Sequence, residues 1–139
     1  MITQTLCNVF KLNLLKGLED FDVASSYTYK IALYDANADL SADTTVYTTS
    51  NEVTGTGYTA GGATLTKVAP SLSGSTAIVT FSNVTWSPAS FTTRGALIYN
   101  ATTNAAVAVL NFGEDKTAVN TFTVTFPVAD ANTAIIRIS

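Results

Sequence analysis

Asp35-Ala-Asn37-Ala-Asp39 sets oxygen-bearing side chains at alternate positions, as the opening of a calcium loop does. The sixth loop position is Leu40, where a sharp turn needs glycine, and the twelfth is Val46, where a bidentate glutamate is needed. The segment therefore reads as a plain acidic loop. The run Gly55-Thr-Gly57-Tyr-Thr-Ala-Gly61-Gly62 has enough glycine to cradle a phosphate. It lacks the Gly-Lys-Ser/Thr ending of a P-loop, and Thr64–Ala69 reads as a strand where a helix would have to follow. These are read as flexible loop and turn glycines. Glu52, Glu114, Asp115 and Asp130 could supply a carboxylate pair for glycosidic cleavage, but all fall in connecting segments. Tyr47, Tyr58, Trp86 and Tyr99 could form a sugar-stacking platform; aromatics at alternating strand positions serve a core or an interface equally well.

Residue counts narrow the chemistry further. The 139 residues include no His and a single Cys, Cys7. Ser-His-Asp and Cys-His nucleophilic systems are excluded, as are His ligands for zinc, copper or haem. Cys7 can form neither an internal disulfide nor a cysteine metal site. It lies in the apolar stretch Leu6-Cys7-Asn8-Val9-Phe10 and reads as a small buried hydrophobe. No catalytic, cofactor-binding or metal-ligating set emerges, so a non-enzymatic protein is expected.

Net charge is −3, and the seven basic residues are scattered: Lys11, Lys16, Lys30, Lys67, Arg94, Lys116 and Arg137. No basic stripe is available to neutralise phosphates, which disfavours nucleic acid and anionic membranes as partners. The opening Met1-Ile2-Thr3-Gln4-Thr5-Leu6 has no basic stretch and does not read as a secretory signal, so a cytoplasmic site of synthesis is expected. The sequons Asn83-Val-Thr85 and Asn100-Ala-Thr102 are then chance matches. The uncharged span between Lys67 and Arg94 holds Pro70, Gly74 and Pro88 and cannot be a membrane helix.

Positioning any of these residues falls to a chain that is mostly strand. Leu6, Val9, Phe10, Leu14 and Leu18 recur at helical spacing, which predicts a helix over 4–16, started by Thr3 or Thr5 and ended by Gly17. Glu19, Asp20 and Asp22 read as a solvated turn after the helix, with the helix and the start of the turn taking up 1–20. From Ser26 the period becomes two: Tyr27, Tyr29, Ile31 and Leu33 alternate with Thr28, Lys30, Ala32 and Tyr34, which predicts a strand with one buried face. Further strands are predicted over 44–48, 64–69, 76–81, 84–86, 95–99, 106–112, 121–126 and 134–138. The 24 Thr and 11 Ser suit exposed strand faces. Turns are predicted at Ser71-Leu-Ser-Gly74-Ser, Asn100–Asn104 and Asn111–Lys116. A single domain over 1–139 follows, an antiparallel β-sandwich or jelly roll of about eight or nine strands with one short N-terminal helix. Residues 36–62 resist the strand reading and stand as a long loop or arm, a length usually kept for function or for contact with a neighbour.

Three segments carry a resemblance. They are Leu33-Tyr34 with the Ala/Asp-rich loop after it, Tyr47-Thr-Thr-Ser-Asn51-Glu52-Val53-Thr-Gly55-Thr-Gly57-Tyr58, and Trp86-Ser-Pro-Ala-Ser-Phe91-Thr-Thr-Arg94-Gly95-Ala-Leu-Ile-Tyr99-Asn100. With the opening Phe10-Lys11 to Gly17, the chain resembles small structural proteins of tailed bacteriophages. The resemblance implies a virion structural protein, and a capsid decoration or cement protein bracing major capsid subunits is the leading expectation. A homo-oligomer is expected, with a trimer favoured because local three-fold positions recur on icosahedral lattices. Tyr47, Asn51, Glu52, Tyr58, Trp86, Phe91 and Arg94 are the candidate partner-interface residues. The long 36–62 segment would be an arm that orders on a partner, and the terminal helix would dock on a host subunit. A neck, tail or fibre component and a host-glycan-binding module are the alternatives.

Overall fold

The computed structural model describes residues 1–139. In chain order the elements are β1 (Thr5–Leu6), α1 (Asn8–Leu15), β2 (Tyr29–Tyr34), β3 (Ala63–Thr64), β4 (Ser71–Ser73), β5 (Thr76–Val79), β6 (Val84–Trp86), β7 (Phe91–Asn100), β8 (Ala106–Ala118), β9 (Phe122–Val124) and β10 (Ile136–Ile138). The fold is mainly β, with antiparallel sheets and one helix, and is sandwich-like.

The β7–β8 hairpin is the spine. Asn100 and Asn104 close its turn: Asn104 N–H donates to Asn100 O at 2.7 Å, Asn100 N–H donates to Ala105 O at 2.8 Å, and Asn104 takes φ 69°. The strands flank it in the order β1-β8-β7-β2-β3. A second sheet runs β10-β5-β4, and β6 pairs with β9. Aromatic rings join the layers: Phe81 lies 6.0 Å from Phe21 and 5.7 Å from Phe126, while Trp86 lies 6.0 Å from Phe122. All belong to one apolar cluster built around 29 buried residues.

The helix is shorter than the spacing predicts. Thr5 and Leu6 pair with Val109 and Ala108 of β8, so they are strand, and α1 begins only after Cys7. Neither Thr3 nor Thr5 caps it: the cap position is Cys7, extended and without a side-chain cap, and the Asn8 N–H donates instead to Ala42 O at 2.8 Å. The C-terminal end is as expected. Gly17 takes φ 72°, its N–H donates to Leu14 O at 3.2 Å, and Leu18 N–H donates to Asn13 O at 2.9 Å. That crossed pair satisfies two otherwise orphaned carbonyls.

Other expectations are corrected by pairing. Residues 44–48 and most of 64–69 form isolated bridges, Val46 with Ala105 and Lys67 with Phe81, rather than the strands predicted there. Ser71–Ser73, read as a turn, is β4, and the turn is only Gly74-Ser75. The predicted connection Asn111–Lys116 lies within β8 as a large irregular bulge: the four residues Phe112–Asp115 stand opposite the single residue Arg94. β2 is buried on both faces, with Ala32 and Tyr34 as inaccessible as Ile31 and Leu33. Thr does line exposed faces in pairs, Thr92 Oγ1 with Thr117 Oγ1 at 3.0 Å and Thr85 Oγ1 with Thr123 Oγ1 at 2.9 Å. Thr93 breaks that pattern; it is fully buried and its hydroxyl lies 3.0 Å from Tyr34 O and 3.1 Å from Gly95 O.

Candidate functional site

Residues 36–62 cover β2 and do not extend from the molecule. β3 pairs only with Lys30 and Ile31, so the backbone of Leu33 is left unpaired on that edge. The long segment supplies the partners. Val53 N–H donates to Leu33 O at 2.9 Å, the Leu33 N–H donates to Tyr58 Oη at 2.9 Å, and Asp35 N–H donates to Asn51 O at 3.0 Å. Ala38, Leu40 and Val53 are buried by this packing. An exposed edge is thereby closed by loop rather than by strand.

Glu52 fastens the segment. Its Oε1 accepts from Tyr47 Oη at 2.6 Å, and its Oε2 accepts from Tyr58 Oη at 2.5 Å and from Gly61 N–H at 2.8 Å. Tyr99 Oη donates to Gly61 O at 2.6 Å, and Tyr34 Oη donates to Thr48 O at 2.6 Å. The Tyr47 and Tyr99 rings stack at 4.7 Å. Burial, together with the Glu52 carboxylate, raises the pKa of all four tyrosines above the usual phenol range. They stay protonated at any physiological pH, as hydroxyl donors must. Chemically the arrangement is a clasp: a carboxylate saturated with charge-assisted hydrogen bonds, holding a loop shut.

The glycines belong to the same clasp. A Cβ at Gly57 would run into the Pro88 carbonyl oxygen, and one at Gly62 into the Ile31 carbonyl oxygen. Both residues also have positive φ. They are close-approach glycines, correcting the reading of a flexible run.

The candidate interface residues do not form one surface. Tyr47, Glu52 and Tyr58 are together in the clasp. Asn51 is exposed at φ 62° and donates through Nδ2 to Asn37 O at 3.3 Å. Trp86 and Phe91 are both 6 % exposed and pack on Phe122, inside the apolar cluster. Their apolar area was needed to cover the β6–β9 layer. With Trp86 buried beside Tyr58, the sugar-stacking platform is absent as well. Arg94 stands apart, its Nε 2.8 Å from Asp115 Oδ1 across the β8 bulge.

Sequence reasoning missed Glu19. Read as part of a solvated turn, it is 8 % exposed. Tyr29 Oη donates to its Oε1 at 3.1 Å and Asn100 Nδ2 donates to the same atom at 2.7 Å, while Oε2 has no partner. Burial raises its pKa against the lowering effect of those two donors. Asn100 is itself fully buried, and its Oδ1 accepts from Thr102 N–H at 3.0 Å and Thr103 N–H at 3.3 Å. The flanking Phe21, between turn residues yet apolar, was the available signal; its ring stacks on Tyr29 at 4.5 Å.

The remaining carboxylates are engaged locally and do not converge. Glu114 Oε1 accepts from Lys116 at 2.7 Å, and that bond holds its pKa below the usual range. Asp130 accepts from the Asn132 and Thr133 N–H groups and the Thr133 hydroxyl, with the same direction of shift. Asp35 Oδ1 accepts from Asn37 N–H at 2.8 Å, the bond of an Asx turn. Cys7 is fully buried, and burial pushes its thiol up to about 11, which makes it inert at neutral pH. Fold and site together define a mainly β, sandwich-like protein with a clasped surface loop. Comparison with protein families, with curated proteins and with solved structures found no match.

Proposed function

We propose that the protein is a non-enzymatic structural component of a tailed-phage virion, a decoration or cement protein that braces major capsid subunits as a homo-oligomer, with a trimer as the favoured state. The observation that supports this reading is the character of the surface. Eleven large hydrophobic side chains are exposed, Leu15, Val119, Leu72 and Val128 most among the leucines and valines, while only three ion pairs form, all at the surface. A surface that is apolar and thinly charged is readily desolvated against another protein. Purified protein is expected to bind expanded heads that lack it and to raise their resistance to heat. Absence of binding, with labelling at the neck or tail instead, overturns the reading. Copy number separates the two positions independently: hundreds per particle mark decoration, and a few rings' worth mark neck, tail or fibre.

A further inference from the structure

Two patches of opposite charge adjoin α1. At one, α1 and β10 enclose a groove of about 530 Å³. Phe10 and Ile136 are its buried residues, Leu15 and Ile138 are exposed at 90 % and 55 %, and Lys11 and Arg137 are its only charged residues. Neither cation makes an ion pair within the chain; Arg137 donates through Nη1 to Asn132 O. Beside the N-terminal residue of the helix lies a shallow groove containing Asp39, Asp43 and Val46, with no basic side chain. Asp43 abuts the helix, its Oδ1 accepting from Asn8 Nδ2 at 3.1 Å. Asp39 is nearly fully exposed and forms an ion pair with the N-terminal ammonium at 4.0 Å, while Asp43 makes no ion pair within the chain. The exposed positions of the helix are Asn8, Lys11, Leu12 and Leu15, at spacings of three and four; Asn8 adjoins the acidic patch, and Lys11 and Leu15 line the basic groove.

We infer that this face is a self-association surface whose occupant is a second copy of the same chain, the Lys11/Arg137 flank of one copy meeting the Asp39/Asp43 flank of the other. Charge complementarity carries the choice of occupant: the face holds both signs in separate patches, with Leu12, Leu15 and Ile138 exposed beside them, so a rotated copy can set each patch against the opposite one. Leu12, Leu15 and Ile138 then leave water at the centre while the charges set the register from the rim. Ring closure and two-fold pairing both use this contact. The inference rests on the self-association in the virion reading, and not on where in the particle the protein sits.

Sedimentation of the full chain tests it. The wild type is expected to associate, less so as salt rises. The charge-reversed pairs Lys11→Glu/Arg137→Glu and Asp39→Lys/Asp43→Lys should each weaken association by about tenfold or more. An equimolar mixture of the two should associate again, because each now complements the other. All four positions are exposed, and circular dichroism and melting of each variant report whether it is folded. Leu15→Asp, at the most exposed apolar position on the helix, should also dissociate the wild-type assembly. An assembly that ignores these changes, or a mixture that stays monomeric, overturns this surface and leaves self-association standing. A wild type that is monomeric at every concentration overturns both.

Discussion

Glu52 and Glu19 each hold tyrosine hydroxyls, yet they sit at opposite ends of an electrostatic scale. Glu52 is half-buried, and both of its oxygens are satisfied, by Tyr47, Tyr58 and the Gly61 N–H. Glu19 is nearly inaccessible, both of its donors reach the same oxygen, and the other oxygen has none. The same residue type with the same partner type therefore stabilises in one place and strains in the other. What differs is desolvation and the number of lone pairs met, which is how a buried charge becomes a net cost.

The comparison breaks most visibly at Asn100. Asn100→Leu keeps the volume but removes the closest donor to Glu19 and the acceptor for two turn N–H groups. A loss of about 3 kcal/mol is expected in urea unfolding at neutral pH. A loss near zero would mean that neither the Glu19 contact nor the turn acceptor contributes to stability there. Next comes Glu52→Ala, expected to cost about 2 kcal/mol because its donors lie near water and are partly resolvated. Limited proteolysis should then cut within 47–61 well before the β7–β8 hairpin. Equal protection of the two regions would show that the loop needs no clasp.

The smallest expected effect has the opposite sign. Glu19→Gln should stabilise the protein by about 1 kcal/mol at neutral pH, since an amide avoids burying a charge while keeping an acceptor for Tyr29 and Asn100. The direction with pH follows from the raised pKa. The folded chain holds a proton on Glu19 over a window in which the unfolded chain has lost it. Stability from that proton is complete below the ordinary glutamate range and is lost as pH rises through the folded value. Melting temperatures of wild type and variant should therefore converge toward acid and separate toward neutral pH. A constant difference would remove Glu19 as the titrating group.

Much of the fold was legible in residue pattern. Alternation over 27–34 placed β2, Asn100–Asn104 placed the central hairpin turn, and Gly17 placed the helix end, because each depends on neighbours within a few residues. The clasp was half legible. Tyr47, Glu52 and Tyr58 were singled out together as a surface for a partner, and the structure joins them by hydrogen bonds to one another at half-buried positions. Tyr34 and Tyr99 come to the same place from 13 and 52 residues away from Tyr47, separations that no local pattern spans.

Sequence by itself determined the class of the protein: an antiparallel, mainly β fold without histidine chemistry, with Cys7 as a buried hydrophobe. Those properties follow from residue type and short-range periodicity. Only the tertiary structure decided which polar residues lie inside. Glu19 and Asn100 stand 81 residues apart and meet because the β2–β7 register brings Tyr29 opposite Asn100. It also decided that Trp86 and Phe91 are core, and that Leu12 and Leu15 are bare. Burial is a property of what packs against a residue, and distant strands supply that.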